Sequence, residues 1–253
     1  MVKREKSYVE KRWKAIEEEL KANHSVSVEL LSVKFGVSKM TIRRDLTYLE
    51  SRKIINRTHG GAVLIFDEKE ELKMYREKIA KFAANFIEAG DTFFINTSSN
   101  AIQILNHIKD KRVTVITNNG KAIYQTRDKR IDVILTGGEL RRQKDSMVGD
   151  FALKNLNPIY AKKAFMGCSG ISAEGGITTE FFSEVNINEM MIKHATKEVY
   201  VLADHTKIGK NSSFVSADIE KITYLITDEK ADSKAIDAIK KKGVKVYQVK
   251  INE

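Results

Sequence analysis

The stretch VSVELLSVKFGVSKMTIRRDLTYLE, residues 26–50, decides how the chain is read. Two short amphipathic segments flank a Gly36-Val37-Ser38 break. At the helical angle of about 100° per residue, Ile42, Leu46 and Leu49 of the second segment share one face and would bury. Met40, Arg44 and Thr47 share the opposite face, with Arg43 and Tyr48 at its sides. A helix with a small apolar core on one side and guanidinium groups beyond it suits a major groove. Arginine pairs bidentately with a guanine edge or clamps a phosphate. Ser38 stands at the N-cap position, and the hydroxyls of Ser38 and Thr41 or a backbone N–H there can bind a phosphate oxygen.

The neighbouring sequence completes a small domain. Val9, Trp13, Ile16 and Leu20 recur at four, three and four residues, so 7–22 is predicted to be an amphipathic helix with Trp13 in its core. Ser25 or Ser27 can cap the next helix, whose Val28, Leu31 and Phe35 would face inward. Short strands at 54–55 and 62–65 flank His59-Gly60-Gly61, which supplies the permissive backbone of a tight turn. Three helices and a basic hairpin make a winged helix-turn-helix over residues 1–66. Arg57, Thr58 and His59 would then lie near the DNA backbone or minor groove. The alternative is an ordinary hairpin with no ligand.

Charge supports the first reading. Of the 253 residues, the first 66 hold 14 Lys/Arg against 8 Asp/Glu, whereas residues 67–253 hold 30 against 26. The net positive charge is therefore concentrated where a phosphate-binding module is expected. No apolar run approaches the ~18 residues of a membrane span. The start has charge but no apolar core of a secretory signal, and Cys168 alone makes no internal disulfide, so a cytoplasmic location is expected. The five histidines are scattered, and neither a metal site nor a cofactor is expected.

Beyond residue 66 the pattern changes. Residues 67–78 are charged and read as a linker or the start of a helix. Ile79, Phe82, Ala83, Phe86 and Ile87 form a helical stripe ended by Gly90. Strand patterns at 92–95, 113–117, 131–135, 164–167, 198–202, 222–227 and 244–249 alternate with helical ones at 99–109, 119–127, 184–195 and 231–241. This alternation predicts an α/β domain over 79–253 with a mostly parallel sheet, whose ligands bind at the carboxyl ends of the strands. The loops so selected are 96–100, 117–120, 136–142, 167–179 and 203–209. Thr97, Ser98, Ser99 and Asn100 offer hydroxyls and free N–H groups for an anion, or else Ser98 or Ser99 simply caps a helix. Gly137 and Gly138 with Arg141 offer close backbone approach and a guanidinium. Asp204 could bind sugar hydroxyls and Lys207 a phosphate. As surface decoration that pair would be worth at most ~1 kcal/mol.

The segment Ser38-Lys-Met-Thr41-Ile-Arg43-Arg44-Asp45-Leu46 resembles the signature of the DeoR family of bacterial transcription regulators. So does the wing Arg57-Thr-His59-Gly60-Gly61-Ala62. The resemblance continues in order through Gly90-Asp91-Thr92, Thr136-Gly137-Gly138, Gly167-Cys-Ser-Gly170, Glu174-Gly-Gly-Ile-Thr178-Thr179 and Ala203-Asp204-His-Thr-Lys207-Ile-Gly209. It implies a winged helix-turn-helix joined to a sensor that resembles ribose-phosphate isomerases and binds a phosphorylated sugar. It further implies a repressor of carbohydrate operons that binds double-stranded operator DNA as a homodimer or homotetramer. By position, Thr97, Ser98 and Ser99 fall in the phosphate loop, and Gly137, Gly138, Asp204 and Lys207 line the same pocket. One departure stands out. The family's loop generally reads Asp-x-Gly-Thr-Thr, whereas Asn96-Thr97-Ser98-Ser99 lacks the carboxylate. A sensor that only oligomerises is therefore an alternative. An isomerase-like enzyme is a weaker one: Asn96 is neither acid nor base, and Glu139, Glu174, Glu184 and Asp204 show no spacing that marks a catalytic pair.

Overall fold

Gly36 ends the first helix of the quoted stretch by adopting the left-handed conformation (φ 63°), its N–H reaching the carbonyls of Ser32 and Val33. Two serines then fix where helices begin. Ser27 accepts from Leu30 N at 3.1 Å and Ser38 from Thr41 N at 3.1 Å, caps worth about 1 kcal/mol each. The computed structural model describes residues 2–23, 25–64, 68–125 and 127–251. They divide into two units, Met1–Glu71 and Leu72–Glu253.

The first unit contains α1 (Val2–Asn23), β1 (Ser25–Ser27), α2 (Val28–Phe35), α3 (Lys39–Ser51), β2 (Ile55–Arg57) and β3 (Gly61–Leu64). Ile16, Leu20, Leu31, Ile42, Leu46, Leu49 and Ile55 are fully buried and form its core. Burial of each such side chain contributes about 1.5–3 kcal/mol. β1 has only one buried residue in three, too short a pattern to be legible in advance. It pairs with β3 to complete an antiparallel sheet of order β1-β3-β2. Gly61 makes this pairing possible, because a Cβ there would lie 1.8 Å from the carbonyl oxygen of Val26. Ile65, expected to end the second strand, lies outside the described residues.

Residues 67–78, read as a linker or helix start, are helical from Glu68 onward in α4 (Glu68–Ala83); Asp67 lies outside the described residues. The stripe predicted from Ile79 continues as a short 3-10 turn at Ala84–Phe86. The second unit is built on seven parallel strands: β4 (Thr92–Ile95), β5 (Val113–Thr117), β6 (Ile131–Leu135), β9 (Ala161–Gly167), β12 (Ala195–Leu202), β14 (Tyr224–Asp228) and β15 (Lys245–Val249). Two smaller antiparallel sheets join β7 (Glu139–Arg141) to β8 (Ser146–Val148), and β10 (Gly170–Ser172) to β11 (Gly176–Thr179) and β13 (Phe214–Ala217). Helices α5 (Asp150–Leu156), α6 (Phe182–Lys193) and α7 (Ser233–Lys241) complete the unit.

Successive strand residues feed opposite faces of the sheet. Phe94, Ala164, Met166 and Val201 pack with Ala152, Ile187, Met191 and Ile236 on one side. Phe93, Ile95, Phe165 and Leu202 pack with Ile79, Ala83, Ile102 and Leu105 on the other. A parallel sheet covered on both faces explains the near-continuous apolar strands.

The helices expected at 99–109 and 119–127 are instead 3-10 turns at Ala101–Asn106 and Gly120–Tyr124; Thr126 lies outside the described residues. In the first the reason is visible in burial. Three residues per turn stack i on i+3, so Ala101 over Ile104 and Ile102 over Leu105 make two buried rows. Gln103 and Asn106 form the outer row.

The main sheet runs β15-β14-β12-β9-β4-β5-β6. From the centre, the chain proceeds outward through β4, β5 and β6 one way, and through β9, β12, β14 and β15 the other. The order therefore reverses between β4 and β9. In open parallel sheets the crevice at such a reversal, beyond the carboxyl ends of the strands, is where ligands bind.

Candidate nucleic-acid interface and effector pocket

α3 is fastened by a polar anchor absent from the sequence reading. Asp45 is 3% exposed. It accepts from Arg12 Nε at 2.6 Å, Arg12 Nη2 at 3.0 Å and Trp13 Nε1 at 2.7 Å. The hydrogen bond to Asp45 raises the Arg12 guanidinium pKa above its ordinary value, against the opposing effect of burial. Trp13 is not simply apolar core: its ring stacks on Tyr48 at 3.6 Å while its N–H is spent on Asp45. The signal was available, since Asp45 occupies the i+3 position of the buried Ile42, Leu46, Leu49 stripe.

With that face locked inward, Arg43, Arg44 and Thr47 are exposed and Met40 is 58% exposed. Arg43 and Arg44 make no ion pair among the described residues. Ser38 and Thr41 are joined through their hydroxyls at 2.9 Å at the start of the helix. Thr58 and His59 are exposed in the turn between β2 and β3. Arg57 behaves differently from the expected wing-tip residue. Its Nε lies 2.9 Å from Glu50, and it donates to Thr47 Oγ1 at 2.8 Å, so its guanidinium rests along α3.

In the second unit a cavity of about 160 Å³ lies at the β4/β9 reversal. Thr97, Ser98, Ser99, Asn100, Asp204 and Lys207, all expected from sequence, are brought together there. Gly137, Gly138 and Arg141 are not among its lining residues. Gly138 packs against Val148 and Ala152, and Arg141 is exposed beside Glu139. Arg76, Lys144 and Glu184 stand in the cavity wall instead, none of them selected as a ligand residue from sequence. Arg76 lay in the segment read as linker, and Lys144 in a turn without a motif.

The cavity floor is tightly built. Asn96 donates to Gly167 O at 2.9 Å and to Asn188 Oδ1 at 3.0 Å, and accepts from Gly167 N at 2.9 Å. It clamps the ends of β4 and β9 and ties both to α6. A Cβ on Gly167 would lie 1.9 Å from Ser98 Oγ, so the two loops meet only because that residue is glycine. Ser98 Oγ accepts from the N–H groups of Asn100 and Ala101, each at 3.2 Å, which is the capping role. Thr97 Oγ1 is buried without a partner, and Ser99 is exposed.

One wall carries Asp204, fully buried, with Arg76 Nε 3.0 Å from its carboxylate. Burial alone would raise the Asp204 pKa; hydrogen bonds from Thr206 and Arg76 outweigh it and hold the pKa below the ordinary value. The loop is anchored from β14, where Asp228 accepts from His205 N at 2.7 Å. Lys207 N donates to Asp204 O at 3.0 Å, while the Lys207 ammonium makes no hydrogen bond or ion pair among the described residues. On another wall Lys144 Nζ is 3.9 Å from Glu184 and 4.3 Å from the centre of the Phe181 ring. Desolvation raises the Cys168 thiol pKa to about 12, which keeps it an unreactive thiol. Of the other carboxylates considered, Glu139 and Glu174 are exposed and outside the cavity lining.

The model of the DeoR-like helix-turn-helix domain matches residues 12–68, and that of the DeoR C terminal sensor domain matches residues 73–229. The chain belongs to the DeoR family. It is similar to the HTH-type transcriptional repressor GlcR of Bacillus subtilis, with 32% identity covering 97% of this chain and 98% of that one. It is also similar to the glycerol-3-phosphate regulon repressor of Escherichia coli, with 32% identity covering 86% of this chain and 90% of that one. Among solved structures, ribose 5-phosphate isomerase A from Methanocaldococcus jannaschii aligns over 55% of each chain at 16% identity and a TM-score of 0.39. A likeness that remote carries no conclusion about chemistry. Within the DeoR family, then, this chain has an amide at position 96, with both its oxygen and its nitrogen committed to the scaffold. No described helix is long and apolar enough to cross a membrane.

Proposed function

We propose that this DeoR-family regulator is a repressor of a carbohydrate uptake or catabolism operon, released by a phosphorylated sugar. α3 reads the major groove through Arg43 and Arg44, with Met40 and Thr47 beside them. Ser38 and Thr41 contact the phosphate backbone, Thr58 and His59 the backbone or minor groove, and Arg57 braces α3 through Glu50 and Thr47. Two copies related by a two-fold axis, as a homodimer or within a homotetramer, read a repeated site. The effector's phosphate sits in the 160 Å³ cavity, against Lys207 and Arg76, while Lys144 stands beside Glu184 on another wall.

The single observation that carries the effector reading is the convergence of three cations and the Thr97, Ser98, Ser99 loop on a cavity at the sheet's reversal point, with the Lys207 ammonium free of ion pairs among the described residues. The loss of the loop carboxylate does not remove this, because Asn96 serves the scaffold rather than the cavity. The name of one relative above, the glycerol-3-phosphate regulon repressor of Escherichia coli, supports the same class of effector. A thermal-shift screen of the full chain over sugar phosphates tests the proposal. A ligand at a hundred times its Kd stabilises by about 2.7 kcal/mol. A flat response to every sugar phosphate, with intact DNA binding, would favour the alternative in which the second unit only oligomerises.

A further inference from the structure

Four buried side-chain oxygens among the described residues have no hydrogen-bond partner in the protein. Two of them, Thr97 Oγ1 and Glu184 Oε1, belong to residues lining the same cavity. Buried polar atoms are nearly always paired, and an unpaired carboxylate oxygen is costly to fold around. Such a cost concentrated at one cavity points to a partner that arrives from outside.

Glu184 is 5% exposed, in the first turn of α6. Its Oε2 accepts from Thr179 Oγ1 at 3.1 Å. That hydroxyl is itself fixed, accepting from Phe181 N at 3.2 Å. Lys144 also approaches Oε2, at a distance beyond a hydrogen bond, while lying over the Phe181 ring. Among the described residues nothing reaches Oε1. The other carboxylate in the cavity wall is spent differently: Asp204 is tied to Arg76 and Thr206. Of the two, Glu184 alone keeps an open acceptor.

We infer that Glu184 reads a hydrogen-bond donor, a hydroxyl or amine, on the part of the effector away from its phosphate. The effector is therefore a phosphorylated sugar or polyol, and a phosphorylated carboxylic acid is refused because its second anion would face Glu184. The inference rests on the phosphate-binding reading proposed above and adds the chemistry of the other end. A charged acceptor makes the stronger class of hydrogen bond, and a site built around a donor rejects ligands that lack it.

Isothermal titration of the full chain tests this with glucose 6-phosphate, fructose 1-phosphate, glycerol 3-phosphate, glucosamine 6-phosphate, 3-phosphoglycerate and inorganic phosphate. Wild-type protein is compared with Glu184→Gln, Glu184→Ala and Lys207→Ala. In wild-type protein a sugar or polyol phosphate binds more tightly than 3-phosphoglycerate. Glu184→Gln weakens that ligand about tenfold or more, leaves inorganic phosphate within twofold, and narrows the gap to 3-phosphoglycerate. Unchanged sugar-phosphate affinity in both Glu184 variants, with binding lost in Lys207→Ala, overturns the role of Glu184 and leaves the phosphate reading standing. Preference of the wild type for 3-phosphoglycerate also overturns it. Failure of every probe to bind the wild type overturns both.

Discussion

The core of the first unit and the cavity of the second treat charge in different ways. In the first, the buried Asp45 is met by three donors from Arg12 and Trp13, and the unpaired cations, Arg43 and Arg44, point to solvent. In the cavity of the second, Asp204 is paired with Arg76, but among the described residues the Lys207 ammonium has no ion-pair partner and one oxygen of Glu184 has no hydrogen bond. On the proposed function, the first arrangement presents the exposed face of α3 to DNA. The second would keep open interactions for a small ligand to complete. Both are consistent with the same rule, that buried polar groups must be paired, applied at two different moments.

The largest effect expected from breaking this contrast is at Asp45. Asp45→Ala strands the Arg12 guanidinium, 9% exposed, and should cost about 3–5 kcal/mol, read as a lower urea midpoint for the first unit. A loss below about 1 kcal/mol would mean that the pair behaves as a surface ion pair and does not anchor α3. Arg44→Ala, on the exposed side of the same helix, should leave that midpoint unchanged and weaken operator binding by about 1–3 kcal/mol if the guanidinium reads a base. Uniform weakening across DNA sequences, with a shallower salt dependence, would reassign Arg44 to a phosphate.

In the second unit, Asn96→Asp places a carboxylate oxygen against the Gly167 carbonyl and removes the donor that bridges β4 and β9. It should destabilise that unit by about 1–3 kcal/mol, measured by thermal melting. No change in melting would show that the amide is not the clamp described. Glu184→Gln should do the reverse in ligand-free protein. Burial raises the Glu184 pKa, with Lys144 and Thr179 opposing, so the folded state holds the proton to higher pH than the unfolded chain does. Between the ordinary carboxyl range and the raised value the folded state binds more protons, and stability falls as pH rises. The Gln variant should therefore be slightly more stable near neutral pH, and the difference should vanish in acid. A constant difference at all pH values would place the effect elsewhere.

The same contrast explains what was legible in the sequence. α3 could be read because Ile42, Leu46 and Leu49 repeat at helical spacing and Ser38 and Gly36 punctuate it. The parallel sheet could be read because its strands are buried on both faces. β1 could not, since three residues with one buried carry no period. The 3-10 turn at Ala101–Asn106 reads as an α-helix in sequence because two adjacent buried rows mimic a helical stripe over six residues. In the cavity, residues in the loops that leave the strand ends, such as Thr97 after β4 and Lys207 after β12, follow from the rule on carboxyl ends. Arg76, Lys144 and Glu184 do not, because they reach the cavity from α4, from the turn between β7 and β8 and from α6. Their convergence depends on tertiary packing, as does the exclusion of Gly137, Gly138 and Arg141.

On the proposed function, an anion held by Lys207 governs how tightly α3 grips DNA. Fluorescence anisotropy of the full chain on DNA from the region upstream of its own gene tests it, with each sugar phosphate titrated into the preformed complex of wild type or Lys207→Ala. The account predicts that one sugar phosphate releases wild-type protein from DNA and leaves the Lys207→Ala complex bound. Equal release of both proteins, or no release of the wild type by any sugar phosphate, would contradict it.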